Sequence, residues 1–359
     1  MNNKHIYVNY YHFQNFGDDL FVILLAQKFP YIKFHIDTER AYESAFNYYP
    51  NIIVHYNNIY KKIVSKISST ILKKDLIYHL RVRYCSGIIY IGGSLFIEPR
   101  TGINKYLTSK KDMYVLDKPY WVIGANFGPY KSKFFYDFFK NEFAKYNNVC
   151  FRDQASKVLF NSLKNISYAP DLIFGVSNRF KLKRKRKNII AISLIQGHIN
   201  DKGYQKLLEE IKYFLVEDFK IIFLSLCKYE GDTEFIKTIM EQFNITEKIE
   251  ICEYNGTNLL KILQIIVDAY LVISMRFHGI VTSISFGTPV FPISYSKKTE
   301  NMLHDINFPG NWIEAKEIEN ITHEKVIENI TLLEAFDTKK IIADSEKHFT
   351  NFEEYIVLE

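Results

Sequence analysis

Cysteine is scarce in this chain, and its four cysteines lie far apart. A disulfide-rich domain needs several cysteines within a short stretch, and a zinc site needs them in close pairs. We therefore interpret all four as free buried thiols in a reducing compartment; they are Cys85, Cys150, Cys227 and Cys252. Histidines, cysteines and carboxylates nowhere show the spacing of metal ligands, so we predict neither a metal nor a bound cofactor.

Long apolar runs are also missing. The most hydrophobic window, residues 259–274, is interrupted by Lys261, Gln264 and Asp268, which excludes a membrane-spanning helix. The first residues show no charged segment followed by an apolar one, which is the pattern of a secretion signal. We expect a soluble cytoplasmic protein, and contact with the inner face of a membrane stays open.

Several signatures of nucleotide chemistry and hydrolysis are absent too. Residues 91–94, Ile-Gly-Gly-Ser, have neither the lysine of a Walker loop nor the spacing of Gly-x-Gly-x-x-Gly, and no Gly-x-Ser-x-Gly elbow occurs. The net charge of +6 is modest for 359 residues, and acidic residues are spread among the basic ones. This charge favours anionic ligands or a membrane surface and gives no reason to predict a nucleic-acid partner.

What the chain does have is an alternation of short apolar segments with helical ones, which predicts mostly parallel sheets. The length suits two domains, and we predict Rossmann-like domains at residues 1–178 and 179–359, the last helix being a candidate to pack back on the first domain. The predicted strands are residues 4–10, 31–36, 51–55, 87–91, 120–124, 148–151, 188–194, 219–226, 248–252, 270–274 and 289–293. We also predict one long basic helix over residues 60–83 and two helices within residues 322–359.

The strongest candidate site follows the strand at residues 270–274. A segment of six residues, Ser-Met-Arg-Phe-His-Gly, separates this strand from a helix predicted to begin at Ile280. Residues two apart in an extended segment point the same way, so Arg276 and His278 can address one ligand. A helix N-terminus at the edge of a parallel sheet favours anions, an arginine grips phosphate or carboxylate, and a histidine transfers protons near neutral pH.

A second candidate segment, Asn15-Phe16-Gly17-Asp18, follows the first strand. Gly17 allows a tight turn with positive φ, and Asp18 is a candidate to cap the helix that we predict from residue 18. The simpler interpretation is a helix cap with the turn before it.

Two more segments follow strands in the first half of the chain. Residues 92–94, Gly-Gly-Ser, let the backbone approach a ligand closely, with Ser94 able to bind an oxyanion. Arg152 follows the strand at residues 148–151, and we predict that Asp153 caps the next helix while holding Arg152 in place. An Arg-Asp pair at a helix start is also a common structural feature.

Together these segments resemble the motifs of the polysaccharide pyruvyl transferase family. The matching elements are Asn-x-Gly-Asp-x-Leu at 15–20, Gly-Gly-Ser at 92–94, Arg-Asp-x-x-Ser at 152–156, Ser-x-Arg-x-His at 274–278, Gly-x-Pro at 287–289, and Tyr295 three residues before Lys298. The resemblance implies two Rossmann-like domains with a central cleft, the GT-B-like architecture of many glycosyltransferases. It also implies transfer of a pyruvyl group from phosphoenolpyruvate to two hydroxyls of a sugar in a bacterial surface glycan, with release of phosphate.

The resemblance gives each candidate residue an expected role. His278, Arg276 and Arg152 are the expected catalytic residues. Phosphoenolpyruvate, the donor substrate, is expected to contact Arg152, Ser274, Arg276, His278, Tyr295 and Lys298. The acceptor, a sugar or a lipid-linked oligosaccharide, is expected to contact Asn15, Gly17, Asp18, Gly92, Gly93, Ser94 and His198.

Two other functions stay open at this point. A GT-B glycosyltransferase would bind the diphosphate of a nucleotide sugar at the helix that follows Ser274, and Glu300 is the nearest acidic candidate for its ribose. A protein without catalytic activity, from a polysaccharide locus, is the other alternative. The basic run at residues 181–187 is a solvated linker or, if the acceptor is attached to a lipid, a contact for a membrane surface.

Overall fold

The computed structural model describes residues 4–56, 58–112, 114–115, 117–242 and 248–358. The chain divides into a first domain, Met1–His12, Phe21–Ala169 and Glu346–Glu359, and a second domain, Phe13–Leu20 and Pro170–Ser345. The division after Ala169 comes earlier than the predicted boundary after residue 178. The physical reason is that this stretch packs on the second domain, where the hydroxyl of Ser285 donates to the carbonyl of Phe174 at 2.6 Å.

The first domain contains a seven-stranded parallel sheet. Its strands are buried on both faces where they cross the middle of the sheet, as expected for strands that helices cover on both sides. The strands are β1 His5–Asn9, β2 Lys33–Thr38, β3 Ile52–Tyr56, β4 Gly87–Ile91, β5 Tyr120–Ala125, β6 Asn148–Phe151 and β7 Ile166–Tyr168. Their order is β3-β2-β1-β4-β5-β6-β7, so the strand order reverses direction between β1 and β4.

The helices of this domain differ most from the prediction between residues 60 and 83. The single helix expected over residues 60–83 is two helices, because Lys73 adopts a left-handed conformation with φ 54° and Asp75 accepts a capping bond from the amide of Tyr78. The helices are α1 Phe16–Lys28, whose first residues up to Leu20 belong to the second domain, α2 Ile59–Leu72, α3 Leu76–Val82, α4 Ile103–Asp112, α5 Lys133–Phe143, α6 Gln154–Leu159 and, at the end of the chain, α15 Thr350–Leu358.

Aromatic residues form much of the first domain's core. Phe135, Phe139 and Phe143 recur every fourth residue along α5 and are buried against Phe96 and Phe127. Edge-to-face and tilted ring pairs of this kind add to the stability gained from burial. The high phenylalanine and tyrosine content of the chain therefore has a structural use here.

The last helix packs on the first domain's sheet. Trp121 of β5 contacts Phe352 and Tyr355 of α15, and its indole N–H donates to the side chain of Asn351 at 2.9 Å. Lys28 adds an ion pair with Glu353.

Three histidines form a hydrogen-bonded row across neighbouring strands β1, β2 and β3. Nδ1 of His5 lies 2.7 Å from Nε2 of His35, and Nδ1 of His35 lies 2.8 Å from Nε2 of His55. Burial, followed by the charges of its two neighbours, lowers the pKa of His35 to about 4. His35 is the central member of the row, and as a neutral imidazole it can donate to one neighbour and accept from the other.

The second domain contains a six-stranded parallel sheet in the order β10-β9-β8-β11-β12-β13. Its core is mainly aliphatic, with Ile192, Phe223 and Ile273 fully buried on the central strands. The strands are β8 Ile189–Ser193, β9 Lys220–Ser225, β10 Ile249–Glu253, β11 Leu271–Ser274, β12 Val290–Ser294 and β13 Ile313–Glu314. The helices are α7 Val176–Arg179, α8 Asp201–Val216, α9 Asp232–Met240, α10 Leu259–Asp268, α11 Phe277–Ser285, α12 Lys297–Asp305, α13 His323–Glu334 and α14 Lys339–Ser345.

Three sequence predictions have a direct outcome. The four cysteines are free and buried, as predicted. Residues 322–359 contain three helices, α13 to α15, instead of the two expected. Among the described residues no helix combines the length and the apolar character needed to cross a bilayer.

Candidate active site

The turn from β11 into α11 builds the centre of the site in the second domain. The hydroxyl of Ser274 donates to the carbonyl of Arg276 at 2.9 Å, and a methyl group on Gly279 would lie 2.5 Å from that hydroxyl oxygen. Ser274 therefore shapes the turn. The helix begins at Phe277 and not at Ile280, which corrects the prediction that Arg276 and His278 share one side of an extended segment.

Arg276 is held by two carboxylates. Its Nε donates to Asp232 at 2.9 Å, and its two terminal nitrogens donate to Asp232 and Glu230. Burial opposes the charged form, but the bonds and charges of these two carboxylates outweigh it and raise the pKa of Arg276. A guanidinium has five N–H groups, and these contacts use three of them, so within the described part of the chain two donors remain for a ligand.

The two carboxylates differ in accessibility. Asp232 is fully buried and also accepts from the amides of Leu226 and Cys227, whereas the side chain of Glu230 is 40% exposed. Asp232 is thus part of the framework, and Glu230 is the partner that an incoming anion can displace. Sequence reasoning missed both carboxylates. A glycine soon after a strand is typical of a loop at a strand end, and Glu230-Gly231-Asp232 follows β9 in this way. In the structure Gly231 has a φ of 84°.

Gly17 lies directly against the imidazole of His278. A methyl group on Gly17 would lie 1.6 Å from Nδ1 of His278, far inside any allowed contact. Gly17 is part of α1, in its first turn, so the expected turn with positive φ is wrong. The residue is glycine because the ring of His278 occupies the space of a side chain.

The cap of α1 also differs from the prediction. The side-chain oxygen of Asn15 lies 3.0 Å from the amide nitrogen of Gly17 and 3.4 Å from that of Asp18, so Asn15 and not Asp18 caps the helix. Asp18 is buried within the first turn, and Asp19 beside it accepts from the hydroxyl of Tyr254 at 2.9 Å. Burial raises the pKa of Asp19 well above its usual range.

Residues 13–20 belong to the second domain because they bond to the loop after β9. The amide of Phe16 donates to the carbonyl of Leu226 at 3.0 Å, and its ring meets that of Tyr254 edge to face. Phe13 stacks on Tyr229 with ring centres 4.7 Å apart. The Asn-x-Gly-Asp segment therefore joins Arg276 and His278, and this corrects its assignment to the first domain.

A second group of predicted residues surrounds the same turn. The rings of His198 and Tyr295 lie 4.6 Å apart, and the ammonium of Lys298 lies 5.5 Å from the ring of Tyr295 and 6.0 Å from that of Phe277. Burial, followed by the charge of Arg276, lowers the pKa of His198. These residues follow β8 and β12, the two strands beside β11.

The first domain brings Arg152 and Gly93 together. A methyl group on Gly93 would lie 2.3 Å from the guanidinium carbon of Arg152, and Asn126 accepts from that guanidinium at 2.7 Å. Gly92 has a φ of 123°, which favours glycine, and Ser94 is half-buried beside it. Asp153 caps α6 as predicted.

A cavity of about 320 Å³ lies in the first domain. It is next to β1 and β4, the point where strand order reverses and where open α/β sheets bind ligands. Tyr78 and Tyr90 line it with Lys110, whose ammonium makes no ion pair within the described part of the chain and whose pKa burial lowers to about 8. Arg81 and Asp37, an ion pair, complete a lining of aromatic and charged groups typical of a polar organic ligand site.

Comparison with protein families gives a match over most of the chain. A family model described as polysaccharide pyruvyl transferase matches residues 15–297, which is most of the chain and runs from the Asn-x-Gly-Asp segment to α12. No curated protein matches the chain at a significant level.

Solved structures of the same fold cover almost the whole chain. A putative UDP-N-acetylglucosamine 2-epimerase from Listeria monocytogenes has a TM-score of 0.62 at 10% identity, over 100% of this chain and 96% of that chain. The UDP-GlcNAc 2-epimerase of Methanocaldococcus jannaschii, solved with UDP-GlcNAc and UDP, has a TM-score of 0.59 at 13% identity, over 98% and 99%. HepE of Anabaena, solved with UDP, has a TM-score of 0.57 at 11% identity, over 99% and 100%. The predicted GT-B-like fold with two Rossmann-like domains is thus confirmed.

Proposed function

This chain belongs to the polysaccharide pyruvyl transferase family and is a transferase, and on that basis we propose that it transfers pyruvyl from phosphoenolpyruvate to two hydroxyls of one sugar. The product is a cyclic ketal, which adds a carboxylate to a surface glycan, and phosphate is released. The observation that carries the proposal is the contact of Gly17 with His278, because it joins the first motif of the family to the Ser-x-Arg-x-His motif around one imidazole.

The donor chemistry suits the second domain's groups. Phosphoenolpyruvate carries a phosphate and a carboxylate, and Arg276 has two unused N–H groups beside Glu230, which is displaceable. The methylene carbon gains a proton, one sugar oxygen forms a bond to C2, and a second sugar oxygen replaces the phosphate there. His278 is our candidate to deliver or remove these protons. Lys298 is our candidate to neutralise the leaving phosphate.

The other expected roles change or stay as proposals. Asn15 and Gly17 support α1 and His278, so we propose positioning roles for them in place of acceptor contacts. His198 lies with the donor group and is a second candidate for proton transfer. Arg152, which Asn126 holds in the first domain, stays a proposed ligand of phosphoenolpyruvate, as the resemblance implies.

We propose that the first domain binds the acceptor, in the cavity lined by Tyr78, Tyr90 and Lys110. Aromatic faces suit the apolar faces of a sugar ring. The ammonium of Lys110 lies over the rings of Tyr90 and Tyr106 and makes no ion pair with the described residues, so it suits an acidic or phosphorylated acceptor. A lipid-linked oligosaccharide carries such phosphate groups.

Thermal unfolding with phosphoenolpyruvate tests the donor. A ligand that binds only the native protein raises the melting temperature, by an amount that grows with ligand concentration. Lys298→Ala should reduce the shift, and Lys297→Ala is the matched control, because Lys297 is exposed and paired with Glu300. Arg276→Ala is a poor probe, since it leaves the buried Asp232 without its cation and costs about 3–5 kcal/mol of stability.

A nucleotide-sugar transferase is the second candidate, because the solved structures of this fold include complexes with UDP and UDP-GlcNAc. Glu300, the carboxylate that the sequence suggests as a ligand of the ribose, accepts a hydrogen bond from the ammonium of Lys297. A melting shift with UDP-sugars and none with phosphoenolpyruvate would replace pyruvyl transfer by this function. No shift with either ligand would favour the protein without catalytic activity.

A further inference from the structure

The helices α2 and α3 of the first domain expose an unusual number of large apolar side chains. Ten such residues between Ile59 and Tyr84 are exposed, from 41% for Leu76 to 77% for Tyr84. We name this surface the basic apolar face; its apolar members are Ile59, Tyr60, Ile63, Val64, Ile67, Ile71, Leu72, Leu76, Leu80 and Tyr84. Contiguous exposed apolar surface of this kind marks an interaction site.

The amphipathic pattern of α2 is turned outward. Ile59, Ile63, Ile67 and Ile71 recur every fourth residue and form one stripe, and all four are exposed. The buried side of α2 instead contributes Ser68, a small polar residue. A helix that packed its apolar stripe on its own domain would show the reverse.

The charge of this face is equally one-sided. Residues 59–84 contain five lysines and two arginines against one aspartate. Arg81 is paired with Asp37 and Lys62 with Glu39, which leaves a net charge of +4 on this surface. Lys62, Lys66, Lys73 and Lys74 are exposed beside the apolar stripe. The partner must therefore offer negative charge and an apolar interior at the same time.

We propose that the basic apolar face docks on a lipid bilayer with anionic headgroups, with α2 and α3 lying in the plane of the interface. Apolar side chains on such a helix enter the boundary of headgroups and acyl chains while lysines meet the anionic headgroups. A second copy of this chain fits poorly, because pairing two such faces would bring two net positive surfaces together.

The basic run at residues 181–187, which the sequence offered as a membrane contact, is used differently. The guanidinium of Arg184 donates to the carbonyls of Val267 and Phe286, and Lys187 pairs with Asp268. These contacts attach the run to the second domain. It also has no apolar stripe beside its charges, so α2 and α3 are the better membrane surface.

Flotation of the full chain with vesicles tests the proposal. We expect binding to vesicles with about one third phosphatidylglycerol and none to pure phosphatidylcholine, because each lysine near an anionic surface adds roughly fivefold to the affinity. Lys66→Gln with Lys74→Gln should then weaken binding by about 25-fold. Ile63→Ser with Ile67→Ser should abolish detectable binding and leave the fold intact, since both side chains are exposed.

Matched controls use exposed residues elsewhere. Val158→Ser and Val216→Ser remove apolar side chains that are 60% and 82% exposed, and Lys237→Gln removes a surface charge of the second domain; none should change vesicle binding. Three outcomes would each overturn the proposal. The chain does not bind vesicles, the controls lose binding equally, or the chain forms a concentration-dependent dimer that the Ile63→Ser and Ile67→Ser changes dissociate. The melting shift with phosphoenolpyruvate should be the same in all variants, so failure here is separate from failure of the proposed function.

Discussion

Replacing Gly17 by alanine tests whether the glycine serves His278 or only its own helix. The added methyl group would lie 1.6 Å from Nδ1 of His278, so the imidazole must leave its position. Overpacking of this kind costs about 1–3 kcal/mol, and alanine in place of glycine within a helix returns about 0.5–1 kcal/mol. We therefore expect the free energy of unfolding, from urea titration, to fall by no more than roughly 2.5 kcal/mol.

Relative to this loss of stability, the loss of phosphoenolpyruvate affinity in Gly17→Ala should be larger. A hydrogen bond to a charged group contributes about 1.5–3 kcal/mol, so loss of the His278 contact should raise the Kd for phosphoenolpyruvate by about 10- to 100-fold. Isothermal titration calorimetry measures this change. In a His278→Ala background the Gly17→Ala change should have no further effect on the Kd, because the ring it displaces is absent.

Gly203→Ala is the matched control for this experiment. Gly203 also lies in the first turn of a helix, is capped through Asn200, and a methyl group there would lie 2.1 Å from Cγ2 of Ile318. It should lower stability by a similar amount and leave the Kd unchanged. Normal phosphoenolpyruvate affinity in Gly17→Ala, or an equal loss of affinity in the presence and absence of His278, would refute the reasoning.

Three further changes have defined outcomes. Glu230→Gln should lower the Kd for phosphoenolpyruvate by about two- to fivefold in calorimetry, because it removes a partly exposed carboxylate that competes with the ligand for Arg276. Weaker binding would mean that Glu230 positions the guanidinium instead. Arg152→Lys should weaken phosphoenolpyruvate binding with little change in melting temperature, because an ammonium cannot reproduce the planar contact over Gly93. Unchanged affinity would mean that Arg152 is not a ligand of phosphoenolpyruvate. The free energy of unfolding should fall as the pH drops from 6.5 towards 4, because the unfolded chain takes up a proton that His35 in the folded chain resists. His35→Phe should flatten this part of the pH profile. An unaltered slope would contradict the assignment of this pH dependence to His35.

Buried parallel strands were the most predictable part of the fold. The bounds of β4 and β6 agree with the sequence prediction, because such strands are short apolar runs that end at glycine or at a polar residue. The break between α2 and α3 was missed, although Asp75 is a good capping residue, since the local pattern of charges continues through it.

The candidate site was predictable in part. Arg276 and His278 could be found because they follow the carboxyl end of a buried strand, and the structure places both there. Asp232 could not be found, because its importance comes from a bond to a residue on another strand's loop, 44 positions along the chain. The same holds for Gly17, whose neighbour His278 is distant in sequence.

The sequence by itself determined the alternation of strands and helices, the motifs and the family, because apolar periodicity and short polar segments at strand ends are local properties. Tertiary structure alone decided that residues 13–20 join the second domain, through the bond from Phe16 to Leu226. It also decided which apolar residues stay exposed on α2, since periodicity shows that a stripe exists and not which way it faces. Contacts between distant residues carry that information, and no local pattern encodes them.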